Sequence, residues 1–280
     1  MKITIYKLKT FLIIFATSIN LLSNEYILVP KNILDVQTGK LIEANIHIKE
    51  GVIVSISNKK PTLGKNKIIQ LEGMTLLPGL MDAHVHLIGN NELNGYSSMA
   101  ESTQLATLYG AKNAKNTLLA GFTTVRNVGA GQFADVALRD AIEKGVVDGP
   151  KMLVSGPTLS ISGGHGDNNL LPFHNHGKSE KHSIVDSPWE ARKAVRVNRK
   201  YGANLIKFTA TGGVMSKNTD PNAKQFTLDE MIAIVDEAHR VSKYPKPAKA
   251  QKQLVEIASG LPVIWLSATP SVESGSQLFH

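Results

Sequence analysis

Between about Thr75 and Arg240 the sequence repeats one pattern, a strand-length apolar run followed by a helix-length amphipathic run, and few chain topologies accept it. The runs Thr75-Leu76-Leu77 and Leu80–His86 lead into a helix predicted over Glu101–Ala120. Phe122–Val128 is followed by a helix over Gln132–Lys144. Lys151–Gly156 is followed by a long Gly- and His-rich loop and a helix over Pro188–Tyr201. Asn204–Thr209 is followed by a loop to Phe226 and a helix over Thr227–Arg240, opened by a Thr227-x-x-Glu230 capping box. Four strand-helix units in series predict a parallel sheet, either open or part of a barrel.

A different rhythm precedes this region. From Glu25 to Leu77 short β-rich runs alternate with turns: Tyr26–Val29, Ala44–Ile48 and Val52–Ile56, with Glu50-Gly51 reading as a hairpin turn. This is a small antiparallel β unit, assigned to residues 24–77. Residues 1–23 have the layout of a secretory signal peptide, with lysines up to Lys9, the apolar run Phe11–Ala16 and a cleavage site near Ser23–Asn24. That run is interrupted by Thr17, Ser18 and Asn20 before it reaches the ~20 apolar residues of a membrane span. The expected location is therefore exported, periplasmic or secreted, with no stable membrane partner beyond export.

The formal charge of +8 raises the question of a nucleic-acid partner, and its distribution answers it. Lys2, Lys7 and Lys9 stand at one end, and Arg240, Lys243, Lys246, Lys249 and Lys252 at the other. Residues 10–239 hold 23 basic and 21 acidic side chains, too even a mixture for a nucleic-acid surface. The chain has no cysteine, so a thiolate site is excluded and any metal must be held by His, carboxylate or a modified Lys.

His84 and His86 supply the sharpest local signal. On a strand, residues i and i+2 share a face, so the two imidazoles project together while Val85 turns into the apolar layer. Two such rings can bind one metal ion, at the C-terminal end of a strand where folds of this class place their sites. The loop Ser162-Gly163-Gly164-His165-Gly166-Asp167 follows the third predicted strand and should lie over the same end. There His165 is either a substrate contact or a solvated loop residue. His174, His176 and His182 match no ligand spacing and read as solvated, and His239 reads as a partner of its helix's C-terminal dipole.

These motifs, in order, resemble the metal-dependent amidohydrolases, especially the imidazolonepropionase-like and Xaa-Pro dipeptidase (prolidase)-like branch. The matching residues are Leu76–His86, Gly121-Phe122-Thr123-Thr124-Val125-Arg126, Ser162–Asp167 and Gly202-Ala203-Asn204-Leu205-Ile206-Lys207-Phe208. The resemblance implies a (β/α)8 TIM-type barrel with a small β-sandwich built from both chain ends, acting on amide or peptide bonds of small molecules such as Xaa-Pro dipeptides or N-acyl amino acids. It implies that His84 and His86 bind a divalent metal, zinc or a similar ion, and that Lys207 is carbamylated if two ions are bound. It places His165 against substrate.

The chain departs from the family pattern twice. Asn127 stands where the pattern has Asp, which exchanges a charge for an amide. More extensively, the pattern's later metal-binding histidines and its general-base aspartate find no match after Arg240. Residues 78–240 accordingly read as the N-terminal half of the barrel, a partial barrel of four βα units, and residues 241–280 as a divergent tail, expected to be an out-of-frame translation. A catalytically inactive truncated fragment of such an enzyme is the alternative reading.

The export expectation is checked by fusing residues 1–30 to a reporter that works only outside the cytoplasm. Signal is expected, and replacing Ile13 and Ile14 with Asp is expected to abolish it. An unaffected signal in that double variant would overturn the assignment.

Overall fold

The computed structural model describes residues 25–59, 67–93, 95–170, 172, 182–214 and 216–242. Residues 1–23, where a signal peptide is expected, and the tail beyond Ser242 lie outside the described residues. The chain divides between Pro78 and Gly79 into two compact units.

The first unit is one five-stranded sheet. Strand β1 (Glu25–Asp35) runs through its middle, with β2 (Lys40–Ile42) and β3 (Asn45–Lys49) antiparallel along one edge, and β4 (Val52–Ser57) antiparallel to β3. The β3–β4 hairpin turns through Glu50 and Gly51, both at positive φ (50° and 74°), the signature of the primed turn whose twist matches the flanking strands. Strand β5 (Ile68–Leu76) pairs with β1 in parallel, so the sheet is mixed where the sequence suggested an antiparallel one. Thr75 and Leu76 end this strand; they belong to the first unit and do not begin the strand-helix series. Ile27, Ile33 and Ile46 are buried, whereas Val52, Ile53, Val54 and Ile56 of β4 are exposed.

The second unit carries a parallel sheet in the order β6 (Leu80–Val85), β7 (Phe122–Asn127), β8 (Lys151–Val154). A short helix α1 (Gly95–Met99) and the longer α2 (Thr103–Leu119) connect β6 to β7. The connection from β7 to β8 is a single 3₁₀ turn followed by α3 (Ala134–Glu143). Leu87, Ala114, Val125, Leu138, Met152 and Val154 interlock between the sheet and these helices. Helices α4 (Pro188–Lys200) and α5 (Leu228–Ser242) pack on a second cluster formed with Leu159, Val185, Phe208 and Phe226.

The fourth predicted strand differs from expectation. Residues 204–209 form no regular ladder; a single bridge joins Phe208 to Leu159. β8 stops at Val154; just beyond it Gly156 has φ +65°, outside the strand region, and Pro157 has no N–H to offer a ladder. Asn198 of α4, wholly buried, donates to the carbonyls of Ser155 (3.2 Å) and Pro157 (2.9 Å). Around the break the segment is pinned residue by residue. Asn204 N donates to Val154 O at 2.8 Å, Leu159 N to Lys207 O at 2.9 Å, and Thr209 N to Leu159 O at 3.1 Å. Arg139 of α3 donates to Gly202 O (2.6 Å) and Asn204 Oδ1 (3.0 Å), fixing the entry to this segment.

The helix starts follow the sequence closely. The capping box is complete: Glu230 N donates to Thr227 Oγ1 at 3.3 Å, and Glu230 Oε2 accepts from Thr227 N at 2.8 Å. Between α4 and α5, Glu237 is buried and accepts from Arg196 Nε at 2.7 Å and from Arg240, and these two partners hold its carboxyl at about 2. A carboxyl depressed in the folded state stabilises above its ordinary pKa near 4.5 and loses that contribution as pH falls toward 2. Both arginines are more than half exposed, so screening limits the effect. Glu237→Gln is expected to cost about 1 kcal/mol in urea unfolding at pH 7, a difference that shrinks toward zero as pH falls from 4.5 to 2. An undiminished difference at pH 2 would show that packing, not charge, was lost.

Candidate metal and substrate site

His84 lies within β6 and His86 follows its end. Their rings stand edge to face with centroids 5.5 Å apart, and Val85 packs toward the core as the alternation required. The β6–β7 register slips between Asp82 and Val85, so His84 sits in an irregularity of the ladder. That irregularity is held by Asp82 Oδ1, which accepts from His84 N (2.9 Å), and by Arg126 Nε, which donates to Ala83 O (2.6 Å). Such bulges re-aim side chains next to functional sites.

A cavity of about 520 Å³ opens at this end of the sheet. His86, His165 and Lys207 line it together with Thr158, Gly129 and Thr209. Three of the four residues singled out from the sequence therefore share one cavity, and the fourth, His84, stands beside His86. Gly129 permits a close approach: a Cβ there would lie 2.6 Å from Thr158 Oγ1 and 3.4 Å from His86 Cε1.

The loop histidine is part-buried and held by two hydrogen bonds. His165 Nδ1 lies 2.5 Å from Ser216 Oγ, and His165 N donates to Gln225 Oε1 at 3.0 Å. Sequence reading missed both partners, which lie 51 and 60 residues away and leave no local signal. His182 is also a correction to the solvated reading. Its ring stacks on Phe133 (centroids 5.7 Å, 12° between planes), and its Nε2 is buried with no partner. His239 lies in the last turn of α5 as expected, and His174 and His176 fall outside the described residues.

The pKa values of the four bases all shift downward. Lys207 is only 5% exposed, and burial, with Arg126 nearby, lowers its ammonium to about 8. His84 and His86 remain open to solvent, yet partial desolvation lowers the pKa of each, with the Lys207 charge as second cause. For His86 the Gly129 backbone offers a hydrogen bond that opposes the shift. His165 is lowered for the same two leading reasons. The bases thus favour their neutral, lone-pair-bearing forms, which are the forms that ligate a cation.

Behind the histidines lies a buried polar hub. Asn127, wholly buried, accepts from Leu87 N (2.8 Å) and donates to Gly129 O (3.1 Å) and Asp135 Oδ2 (3.3 Å). Asp135 also accepts from Gly156 N at 3.0 Å, and burial raises its carboxyl. The amide at position 127 therefore suits its surroundings, since a carboxylate there would face a second carboxylate without a donor between them.

As to a metal, no group of three or more His, Asp or Glu side chains among the described residues is arranged to hold one. His84, His86 and Lys207 fit an ion only if the lysine is converted to an anion. With its pKa near 8, roughly a tenth of the amine is neutral at pH 7, and the neutral amine is the form that adds carbon dioxide.

The chain belongs to the amidohydrolase family. Residues 75–244, more than half of the chain, match the Amidohydrolase family. Among curated relatives, the ochratoxinase of Aspergillus niger is 35% identical over 183 residues, covering 60% of this chain and 38% of the relative. Among solved structures, a prolidase complexed with N-methylphosphonate-L-proline superposes with a TM-score of 0.68 at 32% identity, covering 77% of this chain and 54% of that one. A Xaa-Pro dipeptidase with methionine bound in its active site also gives 0.68, at 29% identity and the same coverage. The chain thus spans about half the length of the structures it matches, and less of the ochratoxinase.

Lys207 makes stability depend on pH. Its folded pKa, about 8 against an ordinary 10.5, means that the unfolded chain binds more protons between these values. Stability should therefore rise with pH from about 8 to about 10.5, by up to roughly 3 kcal/mol. In bicarbonate-free buffer, denaturation midpoints of the wild type are expected to show this rise and those of Lys207→Met to lack it.

Proposed function

We propose that this protein is a metal-dependent hydrolase of amide or peptide C–N bonds in small substrates, of the Xaa-Pro dipeptide or N-acyl amino acid type, acting after export. The observation that carries the reading is the meeting of His86, His165 and a buried, readily neutralised Lys207 in one cavity, with His84 alongside. Residues 78–240 are taken as the first four βα units of a (β/α)8 barrel, with the segment 204–209 in the place of the fourth strand.

In this reading His84 and His86 hold a divalent ion, zinc or similar, and a carbamylated Lys207 joins them when two ions are present. Such an ion supplies Lewis-acid polarisation of the scissile carbonyl and acidifies a water at neutral pH. The protein's own residues do the rest. Arg126, whose charge acts on both His84 and Lys207, offsets the negative charge of a carbamate. His165, oriented by Ser216 and Gln225, presents its remaining ring nitrogen to the substrate. Asn127 and Asp135 hold the backbone at Leu87, Gly129 and Gly156 and so keep the cavity walls in register.

A catalytically inactive piece of such an enzyme is the second reading, motivated by the described donor set of only two histidines and one lysine. Metal content separates the two. Purified full chain dialysed against zinc and bicarbonate is expected to retain two ions, and Lys207→Ala to lose metal and proline release from Xaa-Pro dipeptides together, without rescue by bicarbonate. Retained stoichiometry in Lys207→Ala would remove the carbamate from the proposal, and a wild type that holds no metal would favour the inactive piece.

A further inference from the structure

The register of β6 against β7 pairs Asp82 with Val125 and then Val85 with Asn127, so two residues, Ala83 and His84, stand opposite one, Arg126. Neither Ala83 nor His84 has a register partner on β7, and the peptide unit that joins them is held by side chains instead. Its carbonyl, on Ala83, accepts from Arg126 Nε at 2.6 Å. Its N–H, on His84, donates to Asp82 Oδ1 at 2.9 Å. A peptide unit is planar, so holding both of its polar groups fixes where the Cα of His84 lies and narrows the directions open to its side chain. That side chain is the imidazole whose ring stands edge to face with His86, centroids 5.5 Å apart. Bulges of this kind are rare in parallel ladders.

We propose that Arg126 is a positioning residue for His84: its Nε–H holds the Ala83 carbonyl in the bulge and so aims the imidazole beside that of His86, making the two one ligand pair. This rests on the hydrolase reading above for the identity of the ion, and goes beyond it in the role given to Arg126. A second property of the same side chain opposes cation binding. Its positive charge acts on His84 and on Lys207, and a like charge near an ion site repels the ion. The two roles therefore carry opposite signs. If Arg126 acted only as a charge, its removal would strengthen metal binding; if it positions His84, removal of its donor weakens binding. Glutamine separates the two. Its Nε2 stands as many bonds from the backbone as the arginine Nε, and it donates to a carbonyl without bringing a charge.

The test uses purified full chain with zinc as the probe, titrated calorimetrically in bicarbonate-free buffer so that Lys207 stays an amine. Arg126→Met, with neither donor nor charge, is expected to bind zinc about tenfold more weakly than wild type, the scale on which loss of a ligand's outer partner is felt. Arg126→Gln is expected to bind at least as tightly as wild type. Equal affinity of the two variants, or tighter binding by Arg126→Met than by wild type, would overturn the positioning role and leave Arg126 as a charge alone. The metal-free chain supplies a second readout. Each ring shifts the NMR signals of the other through the edge-to-face contact, and the ring-proton signals of His84 and His86 are expected to persist in Arg126→Gln and to move in Arg126→Met. Unmoved signals in Arg126→Met count against the proposal. Arg126→Lys keeps the charge but carries its nitrogen one bond farther out; it serves where Arg126→Met does not fold, is expected to behave like it in both readouts, and sinks the proposal if it matches wild type. A wild type that binds no zinc removes the hydrolase reading, and the metal-free signals then decide the positioning role on their own.

Discussion

The second unit is organised around one side chain, the amide of Asn127. It is wholly buried and ties together three stretches of backbone: Leu87 after β6, Gly129 after β7 and, through Asp135, Gly156 after β8. A parallel sheet leaves the carboxyl ends of its strands open, and the loops there have no ladder to align them. A buried amide can donate and accept at once, which a carboxylate cannot, and Asp135 then serves as a pure acceptor for the donors turned toward it. The hub is therefore the condition for a defined cavity above the sheet. Removal of either member would leave buried polar groups unpaired.

From this follows the electrical character of the site. Three bases, His86, His165 and Lys207, face the cavity together with the carboxylate of Asp167, and the Lys207 charge is the second cause of the lowered pKa at His84, His86 and His165. Lys207 sits in the 204–209 segment, and its own carbonyl accepts from Leu159 N. The burial of its side chain sets the chemistry open to the amine.

Much of this was legible before any coordinates. The start of the last helix followed from its capping box, Thr227 binding Glu230, and the structure adds Ser187 as the cap of α4, where Pro188 opens the helix and its missing N–H does no harm. The alternation around Val85 put His84 and His86 on one side, and the Glu50-Gly51 turn was recognisable from residue type. What went astray had physical causes too. The parallel pairing of β5 with β1 is non-local and leaves no mark in the run Thr75-Leu76-Leu77. Residues 204–209 pair with Val154 and Leu159 by isolated hydrogen bonds instead of a ladder, and His182 reads as polar although its ring stacks on Phe133.

By itself the sequence determined the periodicities, a helix cap, the absence of any thiolate site and the candidates His84, His86 and His165, because these depend on residue type and spacing over a turn, a strand or a loop, while Lys207 was pointed out by the resemblance of ordered motifs. Only the tertiary structure decided that Lys207 is buried with an amine near 8, that Ser216 and Gln225 orient His165, and that Asn127 and Asp135 form a pair. Each of these joins groups remote along the chain or depends on the protein mass around a charge. Desolvation and long-range hydrogen bonding belong to the packed molecule, and no local pattern encodes them.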